Sequence, residues 1–338
     1  MKAVAYSIRP FEKEYLAIAN QKKHDITLIS NPLNSETTNY AEGKNAIIVF
    51  TNDDVNADVI EKLAGLGIKY IITRSTGTDH IDKEAADKYN IKVSNVPSYS
   101  PQAIAEHSVA LALALNRKLV KADKNSHQFD FRNEDLIGFN FSGKTVGIIG
   151  LGHTGLAVAK IYNALGCTVI GHDPYLQGEA HGVQSASLES LLAASDVISL
   201  HLPLTTANKY FICDDTLNRM KDGVMLINTS RGGLINTVDV LTALKTGKLG
   251  YLGLDVYEHE KGLFFEDHTK DQYKDTLLQM LMGYDNVLVT PHQAYLTKEA
   301  LQEIADQTIR NLDRLQAKQC LGEACVCQKG CRAILPKI

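Results

Sequence analysis

Arg231, Glu260 and His292 are the residues of the second half of the chain best suited to chemistry. Each follows a short apolar run: Arg231 comes after Val224–Asn228, Glu260 after Gly250–Val256, and His292 after Asn286–Thr290. Polar residues at the carboxyl ends of parallel strands share one binding edge. A guanidinium has planar paired donors that can hold a carboxylate and polarise a carbonyl beside it. A protonated imidazole can give the carbonyl oxygen its proton as hydride reaches the carbon. A carboxylate next to the imidazole fixes its orientation and favours its charged form. Those are the needs of 2-keto acid reduction. Taken singly, the residues have plainer explanations. Arg231 suits a surface ion pair, His292 a local hydrogen bond, and Glu258-His259-Glu260 a solvated acidic turn. Their coincidence at three strand ends, in one sheet with a glycine-rich turn, argues for catalysis.

That turn is Gly150-Leu-Gly152-His153-Thr154-Gly155, placed between the apolar run Thr145–Gly150 and a helical pattern over Gly155–Leu165. Gly150 permits a tight turn, Gly152 lets the backbone approach a pyrophosphate, and Gly155 lets the helix pack closely on the sheet. The free N–H groups at the helix start would hold the phosphates. A second strand, Thr168–Gly171, leads to Asp173. A carboxylate there can accept from both adenosine ribose hydroxyls. It would repel the 2′-phosphate of a phosphorylated cofactor. Pro174, Tyr175 and Leu176 follow without a Lys or Arg, and His172 alone offers a partial charge.

The elements that position these residues come in two series. The first alternates strands at Lys2–Tyr6, Ile26–Ile29, Ala46–Phe50, Tyr70–Arg74 and Lys92–Val96 with helical patterns such as Asp58–Leu66 and Asp82–Tyr89. A long helix is expected from Pro101 to about Gln128, buried and connecting, with Ser100 as its N-cap. The second series continues with a strand at Asp196–Leu200 and helices at Leu188–Ala194 and Val238–Thr246. A last helix covers Thr297–Leu315. Alternation of this kind predicts an α/β protein of two doubly wound parallel sheets, with a cleft between them as the natural active site.

Composition narrows the function classes. The net charge of −4 without a long basic block argues against a nucleic-acid partner. No apolar run reaches the roughly 18 to 20 residues of a membrane span. The N-terminus lacks the pattern of a signal peptide, so a cytoplasmic location is expected.

The motifs together resemble the D-isomer-specific 2-hydroxyacid dehydrogenases over residues 1 to about 318. They are Val96-Pro-Ser-Tyr-Ser-Pro-Gln-Ala-Ile-Ala-Glu-His107, the glycine turn, Asp196-Val-Ile-Ser-Leu-His-Leu-Pro203, Asn228-Thr-Ser-Arg-Gly-Gly233 and Pro291-His292. Asp255-Val-Tyr-Glu-His-Glu260 with the residues to Asp267, and His292-Gln-Ala-Tyr295, look like the fermentative bacterial D-lactate dehydrogenases. The resemblance implies NAD-dependent reduction of pyruvate to D-lactate. Larger branched or aromatic 2-keto acids are the nearest alternative, and a non-catalytic dinucleotide sensor a more distant one. It makes residues 1–100 plus 297–338 a flavodoxin-like substrate domain, and 101–296 a Rossmann-type NAD domain. Arg231 then matches the substrate-binding arginine, Glu260 the acid paired with the catalytic histidine, and His292 the proton donor. Thr229, Ser230 and Asp255, with Arg231 itself, match positions near the nicotinamide. His153 and Thr154 fall on the pyrophosphate turn, and Leu202, Pro203 and Asn208 lie along the cofactor. Thr76-Gly77-Thr78 matches the loop whose N–H groups hold the substrate carboxylate. Tyr99 and Tyr295 match aromatic positions around the substrate. With Phe264 and Phe265 nearby, they would favour a methyl side chain. The resemblance also implies a homodimer, or a higher homo-oligomer, formed through the cofactor domain.

Cys320, Cys325, Cys327 and Cys331 crowd into the last nineteen residues. Their C-x4-C-x-C-x3-C spacing lacks the paired C-x2-C of a zinc site, so no metal is expected. The segment reads instead as a mobile, oxidation-prone tail whose removal after Lys318 leaves fold and activity intact.

Overall fold

A computed structural model describes residues 1–175, 182–272 and 274–327. Leu176 and Cys331 lie outside the described residues. The chain divides into two compact units, one of Met1–Ser100 together with the chain from Leu296 onward, the other of Pro101–Tyr295.

The first unit opens with β1 (Lys2–Ala5), α1 (Glu12–Asn20), β2 (Asp25–Leu28), β3 (Ala46–Val49), α2 (Ala57–Gly65), β4 (Tyr70–Thr73), α3 (Lys83–Lys88) and β5 (Lys92–Ser94). All strands are parallel, in the order β2-β1-β3-β4-β5. Asn56 and Asp82 start α2 and α3 by accepting from Val59 N and Ala85 N. β3 is buried along its whole length, as a strand covered on both faces must be. Val4, Ile47, Val49 and Ile71 pack with Val59, Ile60 and Leu63 of α2. The alternate residues Ala3, Ala5, Ala46, Ile48 and Ile72 face the other layer.

The second unit begins with helices rather than one helix. α4 (Pro101–Asn116) is followed by α5 (Leu119–Ser126), and Lys118 between them is left-handed, at φ 50°. The expected single helix to Gln128 is therefore broken. Buried Asn116 explains the break: its side chain exchanges hydrogen bonds with both backbone groups of Phe139, at 2.7 and 2.8 Å. α4 buries Ala105, Val109, Leu111, Ala112 and Leu115, whereas α5 buries nothing.

Next come β6 (Thr145–Ile149), α6 (His153–Ala164), β7 (Thr168–His172), β8 (Gln184–Ser185), α7 (Leu188–Ala194) and β9 (Val197–Leu200). They are followed by α8 (Asp214–Asn218), β10 (Val224–Asn228), α9 (Thr237–Thr246), β11 (Leu249–Leu254), α10 (Thr276–Met282) and β12 (Val287–Val289). This sheet is also parallel, ordered β12-β11-β10-β9-β6-β7-β8, so strand order reverses between β6 and β9. Both sheets are doubly wound, with a ligand crevice expected at the carboxyl strand ends beside the reversal. Among the described residues no helix is long and apolar enough to cross a membrane.

The chain then returns to the first unit as α11 (Lys298–Gln316), capped by Thr297, and sets Ile309 and Leu312 on the sheet. The tail beyond it is not mobile as expected: residues to Cys327 pack as part of the fold. Cys325 pairs antiparallel with Ser94, while Asn95 N and Val326 N bond to Ala324 O and Val93 O at 3.0 and 3.2 Å. Leu321 and Cys327 are buried, and the Cys327 sulfur accepts from Val93 N. β5 would otherwise be a bare sheet edge, which is what an extended segment pairs with.

Candidate active site

The glycine turn follows β6. Gly150 has φ 95°, and a side chain there would strike the His201 carbonyl. A methyl at Gly155 would strike the Gly150 carbonyl, which is how closely α6 is seated. Gly152, the N-cap of α6, has open space around it. Asp173, at the end of β7, takes the Leu151 N–H on one oxygen and the Tyr175 N–H on the other, both at 2.9 Å. His172 is turned toward the Ala186 carbonyl at 3.1 Å. Asn208 closes the next loop, bonding to Pro203 O and Thr205 N.

On the far side of the reversal, Ser230 donates to Leu200 O at 2.6 Å, and Asn228 ties the 228–231 loop by accepting from Ser230 N and donating to Arg231 O. Two buried polar atoms here have no hydrogen-bond partner: Thr229 Oγ1 and His201 Nδ1. Burial pushes the His201 pKa down to about 3, so its ring is uncharged, and its Nε2 meets Ser199 Oγ in a chain running on to Ser108. His201 lies inside the motif read from Asp196 to Pro203, but nothing in that motif marked it. A helix start with room before it, a carboxylate on the next strand and unmet polar atoms at the reversal fit a dinucleotide.

The acid–base residues meet on the same unit. His292 Nδ1 lies 3.0 Å from Glu260 Oε1, with the two side chains 15% and 26% exposed. The other Glu260 oxygen accepts from Tyr257 N. Glu258 does something else: it is nearly buried and accepts from Thr237 N at the start of α9. The loop that carries Arg231 is seated beside Tyr257 and Glu258, because Gly232 packs against their backbone, where any side chain would collide. The Arg231 guanidinium also donates to the carbonyl of Ser230. The rings of Phe265 and Tyr295 lie 5.7 and 6.5 Å from the imidazole. Phe264, expected beside them, is buried in the core against Tyr257 instead. Asp255, expected near the nicotinamide, is wholly buried and accepts from Gln293 N and Ala294 N.

The remaining expected positions belong to the first unit, in the loops after β4 and β5. Thr76 donates its hydroxyl to Val96 O, Asn95 donates to Thr76 O, and Ser75 to Gly77 O, so side chains and carbonyls of this loop are held within the unit. Lys83 donates to the Thr78 hydroxyl at 3.2 Å. Tyr99 is half-buried.

Residues 109–294 match the model of the D-isomer specific 2-hydroxyacid dehydrogenase NAD-binding domain. The chain belongs to that family. The D-lactate dehydrogenase of Escherichia coli is 40% identical over 328 residues, 96% of this chain and 98% of the relative. The pyruvate reductase of Chlamydomonas reinhardtii superposes with a TM-score of 0.89 at 40% identity, over 95% of this chain and 98% of that one. A D-lactate dehydrogenase from Aquifex aeolicus, complexed with NAD and lactic acid, does so at 0.84 and 31% identity, over 93% and 95%. The dehydrogenase is thus an NAD-dependent oxidoreductase, and its glycine turn, Asp173 and the Asn228–Gly233 loop lie inside the matched domain.

Proposed function

We propose that this dehydrogenase reduces pyruvate to D-lactate, with the first unit serving as the substrate domain and the second as the NAD domain. The observation that carries the chemistry is the His292–Glu260 pair at 3.0 Å, with the Arg231 loop seated against Tyr257 and Glu258. Bound NADH supplies the hydride to the carbonyl carbon. Gly150, Gly152, His153, Thr154 and Gly155 would hold its pyrophosphate, Asp173 its ribose, and Leu202, Pro203, Asn208, Thr229 and Ser230 the rest. Arg231 binds the substrate carboxylate and polarises the carbonyl, aided by the N–H groups of Thr76, Gly77 and Thr78 and by Tyr99. Because Nδ1 of His292 faces Glu260, its Nε2 is the nitrogen that delivers the proton. The ring is left neutral with Nδ1–H still on Glu260, and solvent returns the proton.

Phe265 and Tyr295 wall the reacting carbonyl. The burial of Phe264 removes one expected ring, which is the observation favouring larger 2-keto acids as the second reading. Following NADH absorbance with pyruvate and with 2-ketoisocaproate decides between them. The proposal expects a higher kcat/KM for pyruvate, and the reverse order moves the enzyme to branched substrates. Discrimination is modest, because a methylene is worth about 1–3 kcal/mol in an apolar pocket.

The dehydrogenase would act in the cytoplasm, in fermentation, as a homodimer. Support for the dimer is the apolar surface after α4, where Phe129 is 85% and Ile137 77% exposed, with Leu119, Val120 and Phe131 nearby in sequence. Patches of this kind mark protein contacts. Light scattering of native protein and of a Phe129→Glu, Ile137→Glu variant tests it, with a shift to monomer expected.

A further inference from the structure

Asp255 sits at the end of β11 with no exposed surface, and its carboxylate is ringed by donors. Its Oδ1 accepts from Thr290 Oγ1 at 2.6 Å and from Gln293 N at 2.8 Å, and its Oδ2 accepts from Ala294 N at 2.8 Å. His107, on α4, brings Nε2 to 3.0 Å from Thr290 Oγ1 and 3.3 Å from Asp255 Oδ1. The roles of these atoms follow from the carboxylate, which only accepts. Thr290 gives its proton to Asp255, so its oxygen accepts, and His107 Nε2 must carry the hydrogen it accepts.

The residues held by this cluster flank His292 on both sides. Thr290 precedes it, and its carbonyl accepts from His292 N at 3.0 Å. Gln293 and Ala294 follow it, each fixed through its N–H. His292 itself is left-handed, at φ 53°, a conformation that persists only where its surroundings enforce it. Two of the donors to this carboxylate are backbone N–H groups beside His292, so a shift of Asp255 is carried directly into the backbone that holds the imidazole.

We propose that His107 is a positioning residue for His292, acting through Thr290 and Asp255; this rests on His292 being the proton donor. His107 touches neither substrate nor cofactor in this role. It supplies a hydrogen that keeps the Thr290 hydroxyl turned to the carboxylate, and with it the angle at which His292 Nε2 meets the carbonyl oxygen. A misplacement of a reacting group by about 1 Å can cost about a hundredfold in rate.

The test uses the full chain with NADH and pyruvate. His107→Leu removes the donor with little change of volume, and His107→Gln restores an N–H near the position of Nε2. His107→Leu is expected to lower kcat by about 10- to 100-fold, with NADH Kd and pyruvate KM changed less than threefold. His107→Gln should recover kcat to within about threefold of the parent. Hydrogen exchange on the protein without NADH should show faster exchange of the Gln293 and Ala294 amides in His107→Leu. A kcat within twofold of the parent, NADH Kd worsening in step with kcat, or a Gln variant no better than Leu would each overturn the proposal. If His107→Leu does not fold, Thr290→Val decides, since it cuts the same link and should show the same split between kcat and KM. A parent enzyme that fails to turn over pyruvate would instead refute the proposed function.

Discussion

Where strand order reverses, the first unit places Asp53 and Arg74 and the second places Gly150 and Gly152. In the first unit the reversal falls between β1 and β3. Asp53 there accepts from Ser7 Oγ, Leu33 N and Phe50 N at 2.6–2.7 Å, and burial pushes its carboxyl up. Arg74 pairs with Glu12, donates to Tyr6 O and lies 5.1 Å over the Phe50 ring. The partners of these charges lie within their own unit, yet Arg74 Nε and, just after β3, Thr51 Oγ1 and Asn52 Oδ1 have none, so unmet polar atoms by themselves do not tell the units apart. In the second unit the same topological point carries instead a glycine turn, with open space around Gly152 at the start of α6. Two sheets of one architecture thus differ in what fills the crevice, and side chains rather than topology assign the cofactor.

If the second unit holds the chemistry, His292→Ala gives the largest effect of all. Turnover should fall by about 10²–10⁴ with NADH affinity kept, measured by fluorescence titration. Near-normal turnover would remove His292 from the mechanism. In the first unit the equivalent blow falls on stability. Arg74→Leu leaves Glu12 and two carbonyls without their donor, and breaking such a buried pair costs about 3–5 kcal/mol. Urea unfolding should register the loss while NADH binding to surviving folded protein is unchanged. Removal of the chain after Lys318 exposes β5 and strips Leu321 and Cys327 from the core. Each buried apolar side chain contributes roughly 1.5–3 kcal/mol, so a loss of about 3 kcal/mol is expected, again by denaturation. An unaltered midpoint would restore the view of a dispensable tail.

Two smaller effects sharpen the second unit. The native enzyme should prefer NADH over NADPH by at least about a hundredfold, or roughly 2.7 kcal/mol. Asp173→Asn should narrow that ratio without reversing it. Equal kcat/KM for both cofactors in the native enzyme would take Asp173 off the ribose. His201 sets a pH dependence. Its folded pKa lies near 3, below the ordinary value of 6.5, so the unfolded chain binds a proton first as pH falls. Stability from this group is complete above pH 6.5 and declines toward pH 3, by up to about 1.4 kcal/mol per pH unit. His201→Gln should flatten that slope in acid-unfolding curves.

The parts of the molecule legible in the sequence are those decided by neighbours along the chain. The strand Val224–Asn228 and helix Leu188–Ala194 occupy their expected residues, and the glycine turn could be placed because its strand, helix and next strand adjoin it. What escaped depends on distant partners. Leu119 and Val120 prolong an apolar pattern, and only the clamp of Asn116 on Phe139 ends α4. The tail looked unstructured because its partner, β5, lies more than two hundred residues earlier in the chain. Glu258 and Glu260 are indistinguishable by composition, and the first is separated from His292 by its bond to Thr237 N. Phe264 and Phe265 likewise differ only in which way the backbone turns them.

The return of the chain to its first unit also sets a schedule for synthesis. β1 to β5 leave the ribosome within the first hundred residues, yet α11, which covers one face of their sheet, begins at Lys298. At about 5–20 residues per second, that face stays only partly covered, by α1, for roughly 10 to 40 s while the whole intervening unit is made. Ala3, Ala5, Ile48 and Ile72 are therefore a waiting apolar surface on every nascent chain, open to chaperones and to neighbouring copies on a polysome. A chain stalled just before α11 carries a finished nucleotide domain and an unclosed partner.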